Sequence, residues 1–342
     1  GSRWVKRDGR PLDEVVLKAR VIDRSLRPMF PDGITHEVQV INTVFSYDGQ
    51  NDPDMLGMLG STIGLAVSDI PFDGPIAGLR VGFNKENGEF MLNPSHDERD
   101  TSDLDLVVSG SGEAIVMVEA GANEIKEATM VEALVLAQEN LGKVCSVIDE
   151  IVSEVGKEKV ELISDEQREE TAEVEELADK IYSAHQEEIR TIVEKKGRLE
   201  ESGSDAFKEK VAEELNAALA DGEEISGSYL GQAIDKLLKK EARKMIIDEE
   251  VRPDGRKTDE IRQIWSEVDV FPRTHGSAMF KRGATQAVTV TTLSDPSRGQ
   301  LIESIEGERT DYYIHHYAMP PYASGEAGRY GFAKRREIGH GA

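Results

Sequence analysis

The sequence predicts an α+β fold in which two mixed segments flank an all-helical one. Three observations predict it. Alternating apolar runs around Asn87-Gly88 and Gly110-Ser111-Gly112 mark hairpins in the first 120 residues. Apolar stripes of helical period fill the stretch after Ser164. From Trp265 onward β-branched runs return, densest at Val288-Thr289-Val290-Thr291-Thr292.

Taken in order, Val15 to Leu26 reads as a helix, with Val15, Val16, Ala19, Ile22 and Leu26 on one stripe. Glu37 to Ser46 alternates as a strand through Val38, Val40, Ile41 and Val44. Asp54 to Asp69 is a helix rich in small residues, suited to close packing on a sheet. Ala77 to Phe83 pairs with Glu89 to Leu92, and Leu104 to Ser109 with Ala114 to Glu119. Ile125 to Val155 is a long helix carrying Cys145 in its apolar pattern, where core filler is the expected role. Ser164 caps the next helix, and Gln167 completes a capping box. Two further helices carry Phe207, Val211, Leu215 and Leu219, then Ile234, Leu237, Leu238, Met245 and Ile246. Strands follow at Trp265–Phe271, Thr285–Leu293 and Tyr312–Tyr317, and Met319-Pro320-Pro321-Tyr322 excludes helix.

Composition narrows the function classes. The 342 residues carry a formal net charge of -25, and the mean hydropathy is -0.44. No run approaches the roughly 20 apolar residues of a membrane span. The single cysteine excludes an internal disulfide framework and fits a reducing compartment, so a cytoplasmic location is expected. The acidity is uneven: 30 acidic and 15 basic residues lie between Asp149 and Glu250, as on the solvated faces of a helical domain. An acidic chain is a poor default candidate for nucleic-acid binding unless its bases cluster. At both ends they do.

Near the start stand Lys6, Arg7 and Arg10 beside Trp4, followed by Arg20, Arg24 and Arg27 at i, i+4 and i+7. Such a row repels itself on a helix, so it needs carboxylate partners or a polyanion. The last residues run Lys334-Arg335-Arg336-Glu337-Ile338-Gly339-His340. In a helix, Arg336 and His340 share a face, and two planar guanidinium forks suit phosphate oxygens. A solvated basic turn is the alternative. Lys6-Arg7-Asp8-Gly9-Arg10 aligns with Arg335-Arg336-Glu337-Ile338-Gly339 as a degenerate repeat, and only the later copy adds a histidine one turn on.

In these motifs the chain resembles the polynucleotide phosphorylase family of bacteria. Trp4 to Pro11, Arg20 to Pro28, Arg252-Pro253-Asp254-Gly255-Arg256, Arg273 to Ser277, Gly307 to Asp311 and Lys334 to Gly341 match in order and spacing. The resemblance implies two RNase PH-like (ribosomal protein fold-like) domains, both incomplete, joined by an all-α domain. The expected boundaries are 1–148 for the first, lacking its N-terminal strands, 149–248 for the helical domain, and 249–342 for the truncated start of the second.

It further implies a phosphate-dependent 3′-to-5′ exoribonuclease that releases nucleoside diphosphates in mRNA degradation, reversibly. Arg335, Arg336 and His340 become the catalytic candidates, gripping phosphate and the RNA end. Trp4, Lys6, Arg7, Arg10, Arg20, Arg24 and Arg27 would line an RNA channel; Arg282 is a further candidate, with an ordinary hairpin cation as the alternative. Trp4 and Val5 stand where the family often has two phenylalanines. Inorganic phosphate is the implied co-substrate and Mg2+ the implied cofactor, its ligands expected beyond Ala342; Asp105 is expected to be a structural relic. The implied partners are single-stranded RNA, a homotrimer and proteins of an RNA-degradation complex. The chain is expected to be an internal fragment, inactive alone. The competing function is a non-catalytic RNA-binding subunit of an exosome-like ring.

Overall fold

The computed structural model describes residues 11–217, 219, 225–305 and 307–341. The chain divides into two compact units: one runs to Leu162 and takes up the chain again from Asp295, and the other is Ile163–Ser294.

The first unit begins with helix α1 (Asp13–Leu26) and helix α2 (Pro53–Val67). Strands β1 (Ala77–Asn84) and β2 (Glu89–Leu92) form a hairpin. Helix α3 (His96–Asp100) leads to β3 (Leu104–Gly110) and β4 (Ile115–Ala122), and helix α4 spans Glu127–Val155. The four strands pair antiparallel in the order β2-β1-β3-β4.

Period-2 alternation sorts this sheet between two helical layers. Leu79, Val81, Leu104, Leu106 and Val108 face α4, which meets them with Ala133, Ala137, Leu141 and Cys145. Alanine at two of these positions lets the helix lie close. Val107 and Met117 face the other way and pack with Val21, Ile22 and Leu26 of α1 and Met58 and Leu65 of α2. Each large side chain so buried contributes roughly 1.5–3 kcal/mol. Gly78 leaves room for Met58, whose sulfur would stand 2.2 Å from a Cβ at that position and would have to move. The Lys159 ammonium closes the end of α2, donating to the carbonyls of Leu65, Ala66 and Ser68 at 2.8, 2.9 and 2.7 Å.

The second unit opens with α5 (Asp165–Gly197), α6 (Ser204–Asn216) and α7 (Gly227–Asp248). Ser164 and Gln167 form the expected capping box. Lys236 pairs with Glu175, Lys240 with Asp179 and Arg190 with Glu249. These numbers rise together, so α5 and α7 run parallel. Their core is Val174, Ala178, Ile181, Ile189, Ile192, Leu230, Ile234, Leu237 and Met245, with Phe207 and Val211 of α6. The stripe of α5 shifts at His185, whose backbone is non-helical (φ -129, ψ 24). There its ring meets Glu214 at 2.9 Å and the edge of Phe207. Strands β5 (Ile264–Val268), β6 (Gly276–Arg282) and β7 (Thr285–Thr291) complete the unit as an antiparallel sheet.

Back in the first unit, β8 (Gln300–Ser304) and β9 (Gly307–Asp311) pair antiparallel, and helix α8 (Arg335–Gly341) follows.

Several expectations change. Glu37–Ser46 forms no regular element and joins no sheet, and Val40, Ile41, Val44 and Phe45 are exposed. Alternation makes a strand only where an edge is present to bond it. Tyr312–Tyr317 is likewise irregular. No sequence expectation covers β6, β8 or β9. Gly276-Ser277-Ala278-Met279-Phe280 does not alternate; β6 is a strand because β5 and β7 bond it on both sides.

Candidate functional site

Helix α8 is only seven residues long, and its orientation decides which side chains are available. At about 100° per residue, Arg335, Gly339, Arg336 and His340 fall on one half of its circumference. Glu337, Ile338 and Gly341 fall on the other. The contacts follow this division. Ile338 is buried. Glu337 accepts the backbone N–H groups of Met319 at 2.9 Å and Lys334 at 2.7 Å. Those two bonds hold its carboxyl below the usual glutamate range.

Arg335, Arg336 and His340 are exposed on the opposite half. Among the described residues, Arg336 and His340 have no carboxylate partner. The His340 ring lies 4.9 Å from that of Tyr317, tilted by 42°. Arg335 Nη1 is 3.7 Å from Asp23 Oδ2 of α1, with 63% of its side chain exposed. Arg335 also borders a cavity of about 1290 Å³ lined by Lys18, Ile22, Asp23 and Arg27 of α1. α1 supplies a second cation at this junction. The Arg20 guanidinium lies against Gly339, 2.6 Å from where a Cβ would stand, so a side chain there would force it aside.

The α1 arginines separate into two cases. Arg24 donates to Glu119 of β4 at 2.8 Å. Arg27 donates to both oxygens of Asp23, at 2.6 and 2.9 Å, which raises its pKa. For these two, carboxylates supply the counter-charge. Arg20 has no carboxylate partner among the described residues and faces α8. Arg282 closes β6, exposed, opposite Ile264 and Thr285 in the second unit. Trp4, Lys6, Arg7 and Arg10 lie outside the described residues.

Sequence reasoning missed a buried charge cluster. Arg80 projects from β1 on the face away from α4 and is 7% exposed. Its guanidinium bonds Asp54 at 2.8 Å and Asp105 at 2.5 Å and lies 3.1 Å from Asp52. Arg99 bridges Asp52 and Asp105, at 2.5 and 3.2 Å, and Lys18 reaches Asp52 at 3.0 Å. Asp105 is therefore occupied by two arginines. Burial opposes ionisation of Asp52, but Lys18, Arg80 and Arg99 outweigh it and hold the carboxyl low. Burial, followed by the neighbouring Asp52, pushes Asp54 up. The available signal was one arginine inside the otherwise apolar run of β1. No group of three or more His, Cys, Asp or Glu suited to a metal occurs among the described residues. No described helix is long and apolar enough to cross a membrane.

Comparison with known proteins accounts for both units. Residues 1–71 and 260–341 match the model of the 3′ exoribonuclease family, domain 1, and residues 74–140 match that family's domain 2. Residues 173–257 match the polyribonucleotide nucleotidyltransferase RNA binding domain. The curated polyribonucleotide nucleotidyltransferase of Streptococcus equi subsp. zooepidemicus (strain H70) is 43% identical over 99% of this chain and 47% of its own length. That of Halothermothrix orenii is 44% identical over 98% of this chain and 48% of its own. That of Caldicellulosiruptor saccharolyticus is 43% identical over 99% and 47%. The chain spans about half the length of the curated relatives it matches. Two segments like the 3′ exoribonuclease family flank one like the polyribonucleotide nucleotidyltransferase RNA binding domain, and the likeness to the curated polyribonucleotide nucleotidyltransferases runs over nearly the whole chain.

Proposed function

We propose that this chain serves a phosphate-dependent 3′-to-5′ exoribonuclease that shortens RNA one nucleotide at a time and releases nucleoside diphosphates. The observation that carries this is the outward half of α8, where Arg335, Arg336 and His340 stand exposed while Ile338 is buried and Glu337 is engaged by backbone N–H groups.

The chemistry explains why cations suffice. An oxygen of inorganic phosphate attacks the phosphorus of the terminal phosphodiester. The bond from that phosphorus to O3′ of the penultimate nucleotide breaks, and O3′ leaves as a hydroxyl after taking up a proton. The attacking group is already anionic, so no strong base is needed. The obstacle is repulsion between two anions, which fixed positive groups reduce. Arg335 and Arg336 neutralise and orient phosphate, His340 adds a hydrogen-bonding group one turn on, and Arg20 extends the positive surface toward the RNA. Trp4, Lys6, Arg7 and Arg10 belong to the same proposal as RNA contacts, as do Arg24, Arg27 and Arg282. Magnesium remains part of the proposed activity, but no described cluster fits it and no step is routed through it.

The proposal extends to a homotrimeric ring acting on single-stranded RNA in the cytoplasm, in company with other RNA-degrading proteins. The domain limits 1–148, 149–248 and 249–342 stand as part of it. The experiment uses a polypeptide of full family length that carries this sequence, incubated with labelled RNA with and without phosphate. Nucleoside diphosphate should appear only with phosphate. Monophosphate release in plain buffer would mean a hydrolase, and RNA binding without any release would mean a non-catalytic ring subunit.

A further inference from the structure

We infer that Glu337 is a positioning residue for the phosphate grip, acting through the backbone rather than on the substrate. The inference rests on the phosphorolytic function proposed above. Glu337 is the third residue of α8 and the only acid between Lys334 and His340. An acid there, surrounded by cations meant for an anion, would weaken the site if its charge pointed outward. Its charge is instead taken up by two backbone donors. Oε2 accepts the Lys334 N–H at 2.7 Å, just ahead of the first turn, and Oε1 accepts the Met319 N–H at 2.9 Å.

One carboxylate thus ties the start of α8 to the segment that enters Pro320-Pro321. The two prolines that follow Met319 have no N–H of their own. The Met319 N–H is therefore the last backbone donor through which the chain entering this turn can be held. A seven-residue helix is too short to persist by itself. Its direction comes from Ile338 in the core, the packing against α1 and this carboxylate. Arg335 and Arg336 directly precede Glu337, so a frayed first turn would let both guanidinium groups wander.

Positioning and simple electrostatics predict opposite signs. If Glu337 acted only as a nearby negative charge, its removal would tighten phosphate binding. If it holds the turn, its removal loosens it. In a polypeptide of full family length, Glu337→Ala should raise the KM for inorganic phosphate about tenfold, the usual consequence of losing a charge-assisted hydrogen bond. RNA affinity and the circular-dichroism spectrum should stay near those of the parent. Glu337→Gln, which keeps one acceptor oxygen, should fall between parent and alanine and serves as the readout if the alanine variant folds poorly. An unchanged or lower KM for phosphate in both variants would overturn the inference. Parallel losses of RNA affinity and folded content would also overturn it, because they mark a purely structural residue. A parent protein with no phosphate-dependent release would instead sink the phosphorolytic function, and the positioning role with it.

Discussion

Arg335 Nη1 lies 3.7 Å from Asp23 Oδ2, so the first turn of α8 leans on a carboxylate of α1. Asp23 is already taken by Arg27 at 2.6 Å. An exposed pair of this kind contributes about 0–1 kcal/mol, too little to withhold Arg335 from a dianion. Double charge reversal, Arg335→Glu with Arg336→Glu, should lower phosphate-dependent nucleoside diphosphate release by at least about 100-fold. Turnover near the parental rate would remove both arginines from the phosphate site.

The α1 arginines should differ in their effect on RNA. Each lost phosphate contact on a single strand lowers the slope of log affinity against log salt by about 0.7. Arg20→Gln should cost close to that amount, since Arg20 faces α8 without a carboxylate partner among the described residues. Arg24→Gln should cost less, because Glu119 already neutralises Arg24. Salt titrations of RNA affinity that rank the two in the reverse order would contradict this assignment.

The buried cluster is a stability element with a pH signature. Arg80→Met would strand Asp54, while Asp52 keeps Arg99 and Lys18, at a cost of about 3–5 kcal/mol, measurable as faster hydrogen exchange across β1 and β3. The folded pKa of Asp54 lies above its unfolded value, so its neutral form favours folding. That contribution is complete at acid pH and is lost as pH climbs through the folded pKa. Asp54→Asn keeps it, so its stability relative to the parent should improve as pH rises from about 4. Asp52 is depressed, and its contribution is present above the unfolded value and lost below it. The cost of Asp52→Asn should therefore shrink on acidification. Denaturation series on both variants that share one slope would disprove the division of roles.

Gly197 separates local preference from tertiary constraint. It is the last residue of α5, where helix propensity favours alanine over glycine by about 1 kcal/mol. A Cβ there, however, would stand 2.4 Å from the Pro253 carbonyl carbon and 2.6 Å from its oxygen. Backbone on both sides cannot yield as a side chain can. Gly197→Ala is expected to destabilise the helical unit by about 1–3 kcal/mol, read from urea unfolding followed by circular dichroism. A stabilised variant would mean that the two segments move apart freely.

Chain order alone dictates the elements wherever an element can be recognised from its own pattern. The capping box at Ser164, the stripes of α5 to α7 and the hairpins at Gly88 and Gly112 depend on neighbours in the chain. The unusual motifs, from Arg20-Val21-Ile22-Asp23-Arg24 to Arg335-Arg336, were enough to point to the family. Tertiary structure decided whatever needed a partner distant in sequence. The alternating run at Glu37–Ser46 stays outside any sheet, whereas unpatterned β6 becomes a central strand, because ladder bonds come from other segments. Arg80 gave no sign that three aspartates surround it, and Arg24 and Arg27 gave none that Glu119 and Asp23 satisfy them. Which cations remain available to an anion is settled only when the fold has assigned the carboxylates, since charges pair through space and a chain written in order does not record its spatial neighbours.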